Sequence, residues 1–198
     1  MARDTASSDS QTPRLRPGAR VAAVVSAYHR ELCRAMADSA KDELVAAGLE
    51  PAAYLELDAP GAYELPVIAA ELARREDVDA VLCFGLVLKG ETEHDRHISR
   101  AVAHGLVDIA REQRKPVLFG VLTCNTLDQA RARALPPSAG GQHDKGREVA
   151  RAALGALAAL DLARELPTRG TRFSRLGDAG PLTDAVPAPD SSSPSNPS

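Results

Sequence analysis

Ala80-Val-Leu-Cys-Phe-Gly-Leu-Val-Leu88 is an unbroken apolar run, and it feeds directly into Lys89-Gly-Glu-Thr-Glu-His94. A run of this length with no polar alternation is the pattern of a strand covered on both faces, as in a parallel sheet. A strand is expected over Val81–Val87, ending at a Gly-bounded turn that carries a lysine, a threonine and a histidine. In an open parallel sheet, ligands bind beyond the carboxyl ends of the strands. Unpaired backbone N–H groups at a helix start suit a phosphate there. A histidine beside them can move protons near neutral pH. The stretch therefore reads as a site for a phosphorylated small molecule with an acid–base group at hand.

Working outward, strand and helix signals alternate. Val21–Val25 is a short apolar strand. Arg30 to Ala47 carries Leu32, Met36, Ala40 and Leu44 at helical spacing, with Gly48 as a stop. Ala53–Leu57 reads as a strand and Pro60-Gly61 as a turn, and Leu65–Arg75 is helical with Pro66 in its first turn. Beyond the central strand come a helix over 95–114, a strand over Pro116–Leu122, a short helix over Leu127–Ala134 and a long one over Gly146–Leu166. Alternation of this kind specifies an α/β fold with a parallel sheet between helical layers. Right-handed crossovers then place every turn that follows a strand on one edge. That edge collects Tyr28-His29, Pro60–Glu64, Lys89–His94 and Thr123–Thr126.

Composition bounds the rest. The 198 residues suit one domain with tails: a polar arm over 1–18, a domain over 19–166, and a Pro/Ser-rich segment over 167–198 that reads as disordered. An apolar fraction of 44% is enough to build a core. A net charge of −3 and 3% aromatic residues give neither the basic face nor the stacking platform of a nucleic-acid binder. The apolar run at 80–88 falls far short of the roughly 20 residues of a membrane span. The N-terminal stretch, with Asp4 and Asp9, lacks the apolar segment of a secretory signal. Cys33, Cys83 and Cys124 are widely spaced and odd in number, with no CxxC pair, so buried free thiols and a reducing cytoplasm are expected.

Each polar candidate has an ordinary reading beside the functional one. Tyr28 packs by default, or stacks on a flat ligand. Glu64 caps the next helix, or binds a ligand's hydroxyl or amine groups. Thr92 is a helix cap, or part of a phosphate turn beside Lys89. The turn itself matches neither a P-loop nor a dinucleotide fingerprint. His94 and His97 share a helix face but lack a third ligand, so no metal site is expected, and His97 and His104 read as solvated or structural. Arg131, Arg133, Lys145 and Arg147 form a basic cluster that is either a solvated face or a phosphate clamp.

Taken in order, Pro60-Gly-Ala-Tyr-Glu-Leu-Pro66, Gly85-Leu-Val-Leu-Lys-Gly-Glu-Thr-Glu-His94, Pro116–Thr123, Asp128-Gln-Ala-Arg-Ala-Arg133 and Asp144-Lys-Gly146 resemble the lumazine synthase family over roughly residues 18–165. The resemblance implies a flavodoxin-like three-layer sandwich around a four-stranded parallel sheet. It implies condensation of 5-amino-6-(D-ribitylamino)uracil with 3,4-dihydroxy-2-butanone 4-phosphate, without metal or organic cofactor, at a site between subunits of a pentamer. By the same resemblance, Tyr28 stacks on the uracil, with His29 beside it, and Ala62, Tyr63 and Glu64 form the segment that holds the ribityl chain. The backbone of Val87 and Leu88 reads the pyrimidine edge, and Lys89, Gly90, Glu91 and Thr92 receive the phosphate. His94 transfers protons, Phe119 comes from the adjacent subunit, Arg133 grips the phosphate and Lys145 lies near it.

The chain also departs from the family pattern. His29 stands where asparagine is usual, Leu86 where a small or hydroxyl residue is common, and Cys124 where threonine is usual. Leu135–Asp144 lengthens the join between two helices, and Pro136-Pro137 stiffens it. In the family such insertions accompany pentamers that do not close into icosahedral shells of sixty subunits, so a free pentamer is expected. The competing readings are a relative that binds flavin or lumazine without turnover, and a shell-forming structural protein.

Overall fold

The computed structural model describes residues 13–166. Its elements are β1 (Val21–Ser26), α1 (Arg30–Ala46), β2 (Tyr54–Ala59), α2 (Leu65–Arg74), β3 (Ala80–Leu88), α3 (His94–Gln113), β4 (Val117–Cys124), α4 (Leu127–Ala134) and α5 (Lys145–Glu165), with 3-10 turns at Pro51–Ala53 and Pro137–Ala139. The four strands lie in the order β2-β1-β3-β4, and every pairing is parallel.

Strand position follows composition. The inner strands β1 and β3 are apolar almost throughout and buried, apart from the half-buried Leu88 that ends β3. The edge strands carry what the interior could not hold: Glu56 and Asp58 on β2, Thr123 on β4. Arg34 of α1 pairs with both acids of β2, so these carboxylates are neutralised at the sheet edge. One face of the sheet packs against α1, α4 and α5, with Met36, Leu44, Phe84 and Leu154 in its core. The other face packs against α2 and α3 around Leu65, Val81, Val102 and Leu106. Each fully buried Leu or Val adds about 1.5–3 kcal/mol. Three layers around a four-stranded parallel sheet in this order make a flavodoxin-like fold.

Two glycines permit close packing that a side chain would prevent. A Cβ at Gly120 would collide with the Phe84 ring and the Cys83 carbonyl, so β4 lies tight on β3. A Cβ at Gly146 would overlap the Met36 carbonyl group, which brings the start of α5 against the backbone of α1. Gly48, at φ 104°, turns the chain out of α1 in the left-handed region that only glycine adopts freely.

The polar arm expected over 1–18 and the disordered tail over 167–198 fall largely outside the described residues. From residue 13 the chain is described, and it is tied down. Leu15 packs on the core and its N–H donates to Ala47, while Arg16 pairs with Asp79.

Candidate active site

Strand order fixes where a ligand can sit. From β1 the chain moves outward to β2, then crosses back to β3 on the other side, so the connections leaving β1 and β3 diverge and leave a crevice at the carboxyl edge. A cleft of about 450 Å³ lies there, between the segment after β1, the loop after β2, the end of β3 and the first turns of α3. Tyr28, His29, Ala62, Tyr63, Glu64, Val87, Leu88, Gly90 and His94 line it, together with Gly61, Leu86 and Ile98.

The segment after β1 is held by its backbone. Buried Ser26 accepts from the Tyr28 N–H and donates to the Tyr28 carbonyl, each at 3.2 Å, and Cys33 Sγ also donates to that carbonyl. With its main chain fixed, the Tyr28 ring projects outward and is 67% exposed, with only the edge of His29 against it (centroids 4.7 Å apart). Packing, the default fate for this tyrosine, is not what its ring does in this chain: all three hydrogen bonds, from two side chains, engage only its main chain. His29 has φ 56° and is the residue before α1, a left-handed position that Asn, Asp and His accept better than most.

The loop after β2 approaches β3 because Gly85 has no side chain: a Cβ there would press on Leu65, Ala62 and Val121. Glu64 occupies the position before α2 but makes no capping hydrogen bond, and its φ of −86° and ψ of −9° are helical rather than those of a capping residue. Its carboxylate folds back over Gly61. The capping reading of Glu64 is therefore set aside, and its charge faces the cleft.

Thr92 is not a cap either. Glu93 holds that position at α3 and also makes no side-chain capping bond; it pairs with Arg96 instead, at 2.9 Å. The Thr92 hydroxyl lies 2.8 Å from His94 Nδ1. The imidazole rests on Gly90, where a Cβ would overlap its Cε1. The N–H groups of residues 91–94 find no acceptor among the described residues, so this exposed turn presents unpaired donors to solvent. Lys89 is exposed beside them, its N–H donating to the Cys124 carbonyl.

The remaining candidates lie outside the cleft lining. Lys89, Glu91 and Thr92 form its rim. Arg133 hydrogen-bonds the Gln129 carbonyl, and no carboxylate pairs with it among the described residues. It is close enough to Cys124, at the end of β4, to offset part of the upward pull of burial on that thiol. Because Cys124 bonds to Lys89, Arg133 is near the same carboxyl end of the sheet as the turn at 89–92. The other members of the basic cluster are occupied: Arg131 with Asp128, Lys145 with Glu148 at 2.7 Å, and Arg147 with Glu43 and Asp144. Phe119 is 39% exposed on the edge strand β4, paired in register with Cys83. It lies five positions before the end of that strand, roughly 16 Å from the carboxyl edge at the usual rise. Ile98 is the lining residue that carried no signal of its own, although it sits one turn after His94 on the same helix face.

Burial raises the thiol of Cys33 to about 12 and that of Cys83 further still, so neither is a nucleophile at neutral pH. Among the described residues no group of three or more His, Cys, Asp or Glu side chains converges as a metal site would require. The cleft's polar equipment is therefore two tyrosine rings, two imidazoles, one carboxylate and an open helix start.

The family model for 6,7-dimethyl-8-ribityllumazine synthase matches residues 18–161. The 6,7-dimethyl-8-ribityllumazine synthase of Frankia casuarinae is 44% identical over 143 residues, covering 72% of this chain and 86% of that protein. The enzyme of the same name from Aquifex aeolicus is 38% identical over 138 residues, covering 69% and 86%. The 6,7-dimethyl-8-ribityllumazine synthase 1 of Caulobacter vibrioides is 42% identical over 146 residues, covering 74% and 93%. The matched span takes in every element that builds the cleft, and on that ground the chain belongs to the 6,7-dimethyl-8-ribityllumazine synthase family.

Proposed function

We propose that this protein condenses 5-amino-6-(D-ribitylamino)uracil with 3,4-dihydroxy-2-butanone 4-phosphate, giving 6,7-dimethyl-8-ribityllumazine, phosphate and water in the penultimate step of riboflavin biosynthesis. One observation carries the reading. Separate chain segments bring an exposed tyrosine ring, a free carboxylate and an imidazole beside an uncapped helix start into one cleft.

The reaction needs little covalent help. An amine adds to a ketone, water leaves, phosphate is eliminated and a ring closes with loss of a second water, and each step moves a proton. One positioned imidazole serves such transfers, and holding the two substrates together supplies much of the remainder. In this reading Tyr28 stacks on the uracil ring with His29 beside it. Ala62, Tyr63 and Glu64 border the ribityl chain, whose hydroxyls suit the Glu64 carboxylate. The main chain at Val87 and Leu88 meets the pyrimidine edge. The unpaired N–H groups after Lys89, with Gly90, Glu91 and Thr92, receive the phosphate. Glu91 and Glu93 add negative charge to that turn, so a dianion needs the countercharge of Lys89 and Arg133, with Lys145 further off and already paired to Glu148. His94 is the proton-transfer group.

Phe119 supports a homo-oligomer. It is exposed on an edge strand and too far along β4 to reach its own chain's cleft, so its place is at the cleft of a neighbouring copy. We further propose a free pentamer in the cytoplasm. Leu135–Asp144 folds into a compact knuckle, with the N–H groups of Gln142 and His143 both donating to Ala132 at 2.8 and 3.0 Å, which sets a fixed, bulky join beside α4. Among the described residues no helix is long and apolar enough to cross a membrane.

Mixing purified protein with both substrates and following lumazine absorbance and fluorescence above the uncatalysed rate tests the activity. Acceleration is expected. A folded oligomer that holds a yellow chromophore but gives no acceleration would establish a binding protein instead. Light scattering tests the assembly, and a particle of sixty copies would overturn the pentamer.

A further inference from the structure

The Thr92 hydroxyl has two claims on it. It lies 2.8 Å from His94 Nδ1, and in the reading above it also faces the substrate phosphate. We infer that Thr92 is a positioning residue through which bound phosphate sets the tautomer of His94, and this rests on the turn at 89–92 being the phosphate site.

The argument is one of donor and acceptor inventory. A threonine hydroxyl has a single proton to give and lone pairs to receive. Neutral imidazole has one N–H and one bare nitrogen, and either ring nitrogen can hold the proton. With the turn empty, the Thr92 proton is free to point at Nδ1, which leaves the imidazole proton on Nε2. A phosphate dianion is the stronger acceptor and takes the Thr92 proton. Oγ1 can then only accept from His94, so the ring proton must sit on Nδ1. Nε2 becomes the bare nitrogen, and it makes no hydrogen bond among the described residues. A general base therefore forms when the phosphate substrate is seated. When Nε2 takes a proton from substrate, the imidazolium keeps its Nδ1–H on Thr92 and gains from the phosphate charge one hydrogen bond away. No bond to Thr92 forms or breaks.

Two further features fit this arrangement. The ring is set against Gly90, where a Cβ would overlap Cε1, so the imidazole meets Thr92 in a defined plane rather than swinging freely. Glu93, the residue between them, turns away to pair with Arg96 and does not compete for Nδ1. Thr92 and His94 are both exposed in the isolated chain, where water weakens such a bond; a bound substrate that excludes water strengthens it.

The test uses the full-length protein with Thr92→Val, which removes the hydroxyl at nearly constant shape, and Thr92→Ser, which keeps it. A residue that only binds phosphate would raise KM for the phosphate substrate and leave kcat alone. Thr92→Val is expected to lower kcat about tenfold, a fraction of a full acid–base contribution, with Thr92→Ser restoring most of it. In a His94→Ala background the kcat effect of Thr92→Val should vanish, because the two residues act as one unit. Nitrogen NMR of histidine-labelled protein reads the tautomer directly, with inorganic phosphate as the probe. Phosphate should bare Nε2 of His94 in the parent and in Thr92→Ser, and not in Thr92→Val. An unchanged kcat in Thr92→Val, or an equal kcat loss with and without His94, overturns the inference. So does a tautomer response that survives the loss of the hydroxyl. If the amides of residues 90–92 fail to respond to phosphate in the parent, the phosphate turn itself is wrong and the inference falls with it. If they respond while His94 does not, only the inference falls.

Discussion

The starts of α3 and α5 each carry a short polar motif, and they are built in opposite ways. At α5, Asp144 accepts from the Arg147 N–H at 3.0 Å and from the Ser39 hydroxyl at 2.6 Å. Gly146 sits against the α1 backbone, and Arg147 and Arg151 close over Glu43. Asp144 serves the Arg147 and Glu148 N–H groups of α5, and the motif is a clasp between two helices. At α3 the position before the helix makes no capping bond, residues 91–94 are exposed, and the one hydroxyl that could cap is turned to an imidazole. A helix start closed by a carboxylate and packed on a neighbouring helix has no place for an anion; one left open does. The same pair of patterns in a sequence, a small polar residue near a glycine before a helix, thus separates into scaffold and site only when the partners are known.

The two glycines sharpen the contrast, because their neighbours differ in kind. The largest effect is expected at the closed start. Gly146→Ala drives a methyl into the Met36 carbonyl, which belongs to backbone and cannot swing away, so a loss of about 3 kcal/mol or more is expected. Urea denaturation at fixed protein concentration would show a lowered midpoint; an unchanged midpoint would mean that α5 is not clasped there. At the open start, His94→Ala should slow turnover by about 10- to 1000-fold while leaving the melting temperature in place. An unchanged rate would remove the proton-transfer role. Arg133→Ala should raise KM for the phosphate substrate by about 10- to 100-fold, the usual worth of charged hydrogen bonds, with a smaller change in kcat. If KM for that substrate stays put, the clamp is elsewhere.

Asp144→Ala removes a cap and strands the Ser39 hydroxyl, costing about 1–2 kcal/mol, read as a fall of several degrees in melting temperature with kcat retained. The smallest effect is the most telling. Gly90→Ala pushes only on the His94 ring, an exposed side chain rather than backbone. Stability should hold within about 0.5 kcal/mol, as for most surface changes, while kcat falls about tenfold. Loss of stability with activity intact would invert the assignment of the two starts.

The fold was legible because the inner strands are apolar throughout and the edge strands are not. Ala80–Leu88 declares its burial on both faces, and Glu56 and Asp58 mark β2 as an edge. Helix limits were legible within a residue or two for the same reason, since Gly48 and the Pro66 turn are local signals. The cleft was less so. Thr92 is a good cap by residue type and Glu64 suits a helix start by its charge, and only the geometry shows that neither caps. The basic cluster of four looks uniform along the chain, yet three members meet carboxylates and Arg133 does not. Ile98 carried no signal, because a lining residue on an amphipathic helix looks like any core residue until the helix is placed.

The left-handed backbone at His29 has a consequence for how this chain can drift over time. Whatever residue stands between β1 and α1 must first fit that conformation, and the choice narrows to a handful of amino acids before any ligand is considered. Asparagine and histidine both belong to that handful. The histidine is therefore a step along a short corridor left open by the main chain, and it brings an ionisable ring into the cleft without disturbing the turn that carries it.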